Sequence, residues 1–177
     1  METLEAIYTR RSIRRFKNDP VSEENLQHLL RAGMQAPSAR NTQAWQFIVI
    51  NERVILNEIN DFHPFASMLS EAPLAIAVCG DKRAEAHEGY LAVNCAAATQ
   101  NILLAAHALE LGAVWIGIYP RENRIQRLSE LLQLPDFILP VSLVALGYPA
   151  EDKQAIDRYD QAKVHLNRWK DGKEGLE

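Results

Sequence analysis

Positive charge is in short supply in this chain. Lys and Arg number 19 against 23 Asp and Glu in 177 residues, giving a net charge of −4 at neutral pH. That balance leaves no electrostatic footprint for a nucleic acid. Cysteine is scarce as well: Cys79 and Cys95 are the two present, each inside an apolar run. Two such residues imply neither a disulfide framework nor a metal cluster, and neither has the basic or helix-start setting that activates a thiol. A Walker loop and a G-x-G-x-x-G turn are both missing, as is any His/Cys/Asp/Glu group at metal-ligand spacing. Asp81, His87 and Glu88 are instead predicted to lie in a solvated, charged connector. No stretch is a clean membrane span, because Asn94, Gln100, Asn101, His107 and Glu110 interrupt the longest apolar segment. Met1 leads straight into an amphipathic segment with no signal-like apolar region. The expectation is a cytoplasmic protein without nucleic-acid or membrane partners. A hydrophobic share of 47% supports a packed core. With no repeat or linker, residues 1–177 are predicted to form one domain.

What the chain does have is organised around residues 91–120. Between Leu91 and Leu111 there is neither Gly nor Pro, and Ala, Leu, Gln and Asn predict a helix of roughly 30 Å. It is apolar on nearly every face, which predicts a helix buried all round. Its alanines suit close packing by other elements or by a second subunit. Gly112 is expected to end it as a C-cap, with a strand following from Ala113 to Tyr119. Gly117 within that strand marks either a simple bulge or a place where a ligand or backbone comes close.

Two polar segments stand out from the core pattern. Arg10, Arg11, Arg14 and Arg15 flank Ser12 and Ile13 and precede Phe16, which reads as an anion site or as a solvated basic face. Residues 36–45, APSARNTQAW, form a polar loop between the helix predicted over Glu23–Ala36 and a strand beginning at Trp45. Ser22 is placed to cap that helix, and Leu26, Leu29, Leu30 and Met34 are its predicted buried stripe. Further helices are predicted over Glu52–Asn60, near Pro64–Leu69 and over Arg121–Gln133. Interior strands are predicted at Pro73–Cys79 and Leu139–Leu146. A mostly polar tail from residue 150 to 177 is predicted to lie across the domain or a partner. The alternation predicts an α/β or α+β domain with a central sheet. His63, His87, His107 and His165 read as satisfied histidines. Anion-binding and polar-loop features without an evident acid, base or nucleophile favour a cofactor that carries the chemistry.

Taken together, RRSIRRF at 10–16, APSARNTQAW at 36–45, AAATQNILLAAHALELGAVWIG at 96–117 and LGYPAE at 146–151 resemble the nitroreductase family of FMN-dependent oxidoreductases, in its short members. The resemblance runs in order over nearly the whole chain. It implies an α+β fold with a mostly antiparallel sheet flanked by helices. It also implies an interlaced homodimer with FMN at the interface. The implied reaction takes hydride from NADH or NADPH through flavin N5 to a nitroaromatic, quinone or similar acceptor, in ping-pong order. Relatives that use the flavin for dehydrogenation, dehalogenation or flavin breakdown, and flavin-binding modules without fast turnover, fit the same motifs. Matched by motif, the implied FMN residues begin with Arg10, Arg11, Ser12 and Arg14. Arg10 meets the phosphate and Arg14 the N1/O2 edge of the ring. Pro37, Ser38, Ala39 and Asn41 match the loop contributed by the second subunit. Gly117 and Ile118 match the strand whose N–H groups approach N5 and O4, and Arg158 matches a second phosphate ligand. Ala44 replaces a proline frequent at that place, and residues 64–67 lack the Asn and Lys of some longer members.

Overall fold

The computed structural model describes residues 1–169; residues 170–177, the end of the predicted tail, lie outside the described residues. Among the described residues a four-stranded sheet runs in the order β1-β2-β4-β3, with every neighbouring pair antiparallel. Its strands are β1 (Trp45–Ile50), β2 (Leu74–Asp81), β3 (Gly112–Gly117) and β4 (Ile138–Gly147). The helices are α1 (Thr3–Thr9), α2 (Glu23–Met34), α3 (Arg53–Phe62), α4 (Glu88–Ala108) and α5 (Glu122–Leu131). The fold is therefore α+β, as the family resemblance implies.

Side-chain alternation along β2 divides the core. Leu74, Ile76 and Val78 join α2 and α4 on one face, while Ala75, Ala77 and Cys79 join α3 and α5 on the other. Both faces of β2 are covered, so its sequence is a continuous apolar run. Packing is closest where α4 crosses β2. A Cβ on Gly80 would lie 2.3 Å from Leu91 Cγ, so only glycine lets the two elements come this near. Leu91, Ile102, Leu29 and Leu128 are fully buried, and truncating any one to Ala costs about 2–5 kcal/mol.

Several details depart from the sequence reading. The buried stripe of α2 runs through Leu29 to Gly33, which sits against Phe47 and Ile102, while Met34 is 52% exposed. Positions 26, 29 and 33 fall on one helical face and position 34 turns off it. Gly112 does not cap α4. The helix closes on Glu110, at φ 60°, with Glu110 N–H donating to His107 O and Leu111 N–H to Ala106 O. That is a Schellman closure made without glycine. Gly112 is instead the first residue of β3, where a Cβ would lie 2.7 Å from Ile13 Cγ2. Nor is α4 covered all round: Leu91, Cys95, Ala98, Ile102 and Ala106 are buried, but Tyr90 and Val93 are exposed. The segment near Pro64–Leu69 is a single 3-10 turn, Ser67–Ser70.

Pro140 lies inside β4, where its missing N–H would break a regular ladder. A bulge accommodates it: Val78 pairs with Ser142 and Cys79 with Pro140, so Val141 has no β2 partner. Val141 O then accepts the Ile118 and Tyr119 N–H groups at 3.2 and 3.0 Å. This fixes the chain just beyond Gly117.

Candidate functional site

The arginine segment runs along the free edge of β3. Ser12 pairs with Ala113 in parallel, and Ile13 N–H donates to Ala113 O at 3.0 Å. An extended segment sends alternate side chains to opposite sides, and the four arginines divide accordingly. Arg15 Nε binds Glu71 at 2.9 Å, and Arg11 donates to backbone carbonyls of Arg10, Gln154 and Ile156. Both therefore hold the chain together. Arg10 and Arg14 line two hollows, and Arg11 borders the Arg10 hollow while it makes these contacts. The reading of this run as a solvated face fails for Arg10, which is half-buried.

Arg10 shares a hollow of about 810 Å³ with Tyr8, Arg11, Asp157, Arg158 and Tyr159. Burial, followed by the charges of Arg11 and Arg158, pushes the Arg10 pKa down. Among the described residues no carboxylate lies within ion-pair distance of Arg10, Arg14 or Arg158. Three cations line the hollow against the one acid Asp157, and neither Arg10 nor Arg158 is ion-paired among the described residues; such a site suits a phosphate, whose oxygens can accept from both guanidinium groups. The residues present thus fit a phosphate-bearing cofactor. Ser12 contributes its carbonyl to Lys153 Nζ at 2.9 Å, and Arg14 N–H is held by the Glu151 carboxylate.

Arg14 lies in a second hollow, of about 380 Å³, with His63, Phe65, Trp115, Gly117 and Arg124. A Cβ on Gly117 would meet nothing within 4 Å, so the backbone here is open to a flat ligand. Gly117 O accepts from both His63 Nε2 and Arg124 Nη1, each at 2.9 Å. His63 Nδ1 accepts from Phe65 N–H at 3.2 Å, so the proton sits on Nε2. The ring is 2% exposed, and burial, assisted by Arg124, lowers its pKa. His63 is thus a satisfied histidine, as expected, and it fixes Gly117. The Ile118 N–H is engaged by Val141 O, so Gly117 is the more open of the two backbone positions.

The polar loop is held elsewhere, at the start of α4. Arg40, Asn41 and Gln43 adopt φ of 54°, 55° and 48°, a conformation that costs a side-chain-bearing residue roughly 1 kcal/mol or more. Several contacts hold it there. Ala39 N–H donates to Asn94 Oδ1 at 2.9 Å, Gln43 N–H to Ser38 Oγ at 3.0 Å, and Arg40 Nη2 to Glu85 Oε2 at 2.6 Å. Pro37 and Asn41 are exposed. The residues lining the two hollows include none of Pro37, Ser38, Ala39 or Asn41.

The connector after β2 is exposed at His87 and Glu88, as expected, but not at two of its acids. Asp81 is 7% and Glu85 1% exposed, because each carboxylate is used: Asp81 holds Arg83, and Glu85 holds Arg40 and the His87 amide. Sequence reasoning missed Glu85, Asn94 and Arg124 as supports of the site. Asn94 carried the only signal, as a polar residue within an alanine-rich helix.

The nitroreductase family model matches residues 7–65 and 63–148. A relative from Methanothermobacter thermautotrophicus, provisionally named NADH dehydrogenase/NAD(P)H nitroreductase, is 44% identical over 169 residues, covering 96% of this chain and 88% of its own. Among solved structures, an FMN-dependent nitroreductase from Clostridium difficile R20291 superposes with a TM-score of 0.87 at 30% identity, covering 94% of this chain and 99% of that one. A Desulfovibrio desulfuricans protein, provisionally described as a nitroreductase and solved in complex with FMN, has a TM-score of 0.81 at 32% identity, covering 97% and 99%. The chain belongs to the nitroreductase family. Among the described residues no helix is long and apolar enough to cross a membrane.

Proposed function

We propose that this chain binds FMN and serves as an NAD(P)H-dependent oxidoreductase for a nitroaromatic, quinone or similar acceptor. The observation that carries the reading is Arg10 and Arg158 lining one hollow with Arg11, neither of the two ion-paired to a carboxylate among the described residues. Bound FMN would take hydride from NAD(P)H at N5 and pass it to the acceptor. Arg10 and Arg158 would hold the phosphate. Arg14 would place a fixed positive charge beside the ring, where negative charge develops on reduction. Gly117, locked through its carbonyl by His63 and Arg124, would give the ring its closest approach to backbone. Ser38 and Asn41 of the partner subunit would close the site in a homodimer. The exposed Leu4, Ile7, Tyr8, Tyr90 and Val93 support such a partner.

The test is the visible spectrum of the purified protein, followed by chromatography of the cofactor released on heating. FMN as the main species is expected. A colourless protein that takes up no FMN, or one that releases FAD, overturns the reading. Rapid anaerobic bleaching by NADH or NADPH then marks the enzyme, and its absence marks a flavin carrier.

A further inference from the structure

Three cations, Arg10, Arg11 and Arg158, come close enough that Arg11 and Arg158 both depress the Arg10 pKa. No carboxylate pairs with any of them among the described residues. Like charges do not gather without something to hold them. The Arg11 guanidinium supplies the tie, through neutral acceptors. Its Nη1 donates to Arg10 O at 2.7 Å, its Nε to Gln154 O at 3.1 Å, and its Nη2 to Ile156 O at 2.9 Å. One planar fork therefore grips the backbone of the first cation and the tail segment that delivers the third.

We infer that Arg11 is a positioning residue that clamps residues 154–156 and so sets Arg158 opposite Arg10. The inference rests on the proposal that the hollow holds the FMN phosphate. Neighbouring contacts leave this task to Arg11. Lys153 Nζ, Glu151 and Ala150 fasten the start of the tail, up to residue 153, on Ser12, Arg14 and Arg15. Beyond that point Ile156 and Tyr159 are exposed, at 58% and 69%, and provide little anchoring by burial. The fork geometry is particular to arginine. Lysine keeps the charge but cannot span three carbonyls with fixed, coplanar donors.

The test compares FMN with riboflavin, which lacks the phosphate. Dissociation constants are read from flavin fluorescence on diluting protein pre-equilibrated with either flavin. Four proteins are measured: wild type, Arg11→Lys, Arg158→Ala and the double variant. Wild type should prefer FMN. Arg11→Lys should lose about tenfold of that preference, the worth of one charge-assisted contact, with riboflavin affinity little changed. The double variant should be no worse than Arg158→Ala alone, because the clamp acts through Arg158. An undiminished preference in Arg11→Lys overturns the clamp. So do losses that multiply in the double variant, which would place Arg11 itself on the phosphate. Equal losses for FMN and riboflavin would reduce Arg11 to general structural support and also overturn it. A wild-type protein without preference for FMN would instead overturn the phosphate reading, and this inference with it.

Discussion

Glu85 Oε2 accepts a hydrogen bond from Arg40 Nη2 at 2.6 Å, joining a carboxylate that is 1% exposed to a residue at φ 54°. The contact ties the connector after β2 to the polar loop before β1. The loop's left-handed residues are unfavourable alone, so its shape depends on such ties.

Glu85→Gln should therefore weaken FMN binding, by about tenfold for the loss of one charged hydrogen bond, without removing the fold. The Arg40 hydrogen bond, then the His87 amide, holds the Glu85 carboxyl below the usual carboxylate range. The Arg14 amide does the same for Glu151, and Arg83 for Asp81. A depressed carboxyl pKa stabilises the fold above its unfolded value and loses that contribution as pH falls through the folded one. Thermal midpoints should begin to decline below about pH 6.5, because buried His63, with its lowered pKa, takes up its proton more readily unfolded, and should drop more steeply below about pH 4 as these carboxyls protonate. Glu85→Gln should show a shallower acid drop, and a curve parallel to wild type would remove Glu85 from the account.

Gly80 and Gly117 should respond to alanine in opposite ways. At Gly80 the new Cβ would lie 2.3 Å from Leu91 Cγ in a fully buried contact, and overpacking of this kind costs about 1–3 kcal/mol or more. At Gly117 it would meet nothing within 4 Å. Gly117→Ala should leave the melting temperature near wild type while weakening FMN binding. If it binds FMN as well as wild type does, the ring does not approach this strand.

How much of this was legible in the sequence follows from the range of the forces involved. The strands at 74–81 and 138–147 and the helix at 88–108 announce themselves because burial writes apolar runs locally. Pro140 looked like an ordinary interior residue, since the bulge that admits it depends on pairing with β2. Glu85 reads as solvated because its neighbours are charged, whereas its carboxylate is buried and bonded to Arg40, 45 residues away. Gly112 sat where a C-cap belongs, yet Glu110 took the left-handed role and left Gly112 to make room for Ile13. The arginines read as an anion-site candidate from the composition of the run and from the family motif. Their division into Arg10 and Arg14 against Arg11 and Arg15 depends on the edge of β3, which local sequence does not reveal.

Arg14→Ala should lower the midpoint potential of bound FMN and slow its reduction more than it weakens binding. A fixed cation interacts more strongly with the more negative, reduced state, so its loss is felt in the differential. About 1.4 kcal/mol of such difference lowers a two-electron potential by about 30 mV. Spectroelectrochemistry of wild type and variant gives the shift directly. A wild-type potential in the variant would show that Arg14 does not face the ring.

Both thiols should be silent in the native protein. Cys79 and Cys95 are buried, and burial pushes their pKa up to about 12. A thiol reagent at pH 8 should label neither until denaturant is added, after which both react. Rapid labelling of the folded chain would contradict the packing at the α4 and β2 positions.

The division of site residues within one chain leads to the last prediction. Arg10 and Arg14 line the two hollows, while Ser38 and Asn41 sit on a loop anchored at the start of α4 by Asn94. In a two-fold dimer the same surfaces meet twice, so a complete site would combine the arginine half of one subunit with the loop half of the other. Two inactive variants test this: one with Arg10→Ala and Arg14→Ala, the other with Ser38→Ala and Asn41→Ala. In a mixed dimer one site carries both lesions and the other carries none. Random exchange of equal amounts yields about half mixed dimers, so roughly a quarter of wild-type sites should return. If both halves came from one chain, every site in the mixture would keep a lesion and neither colour nor activity would reappear. Mixed dimers recovered through two different tags, yet colourless and inactive, would refute the shared site.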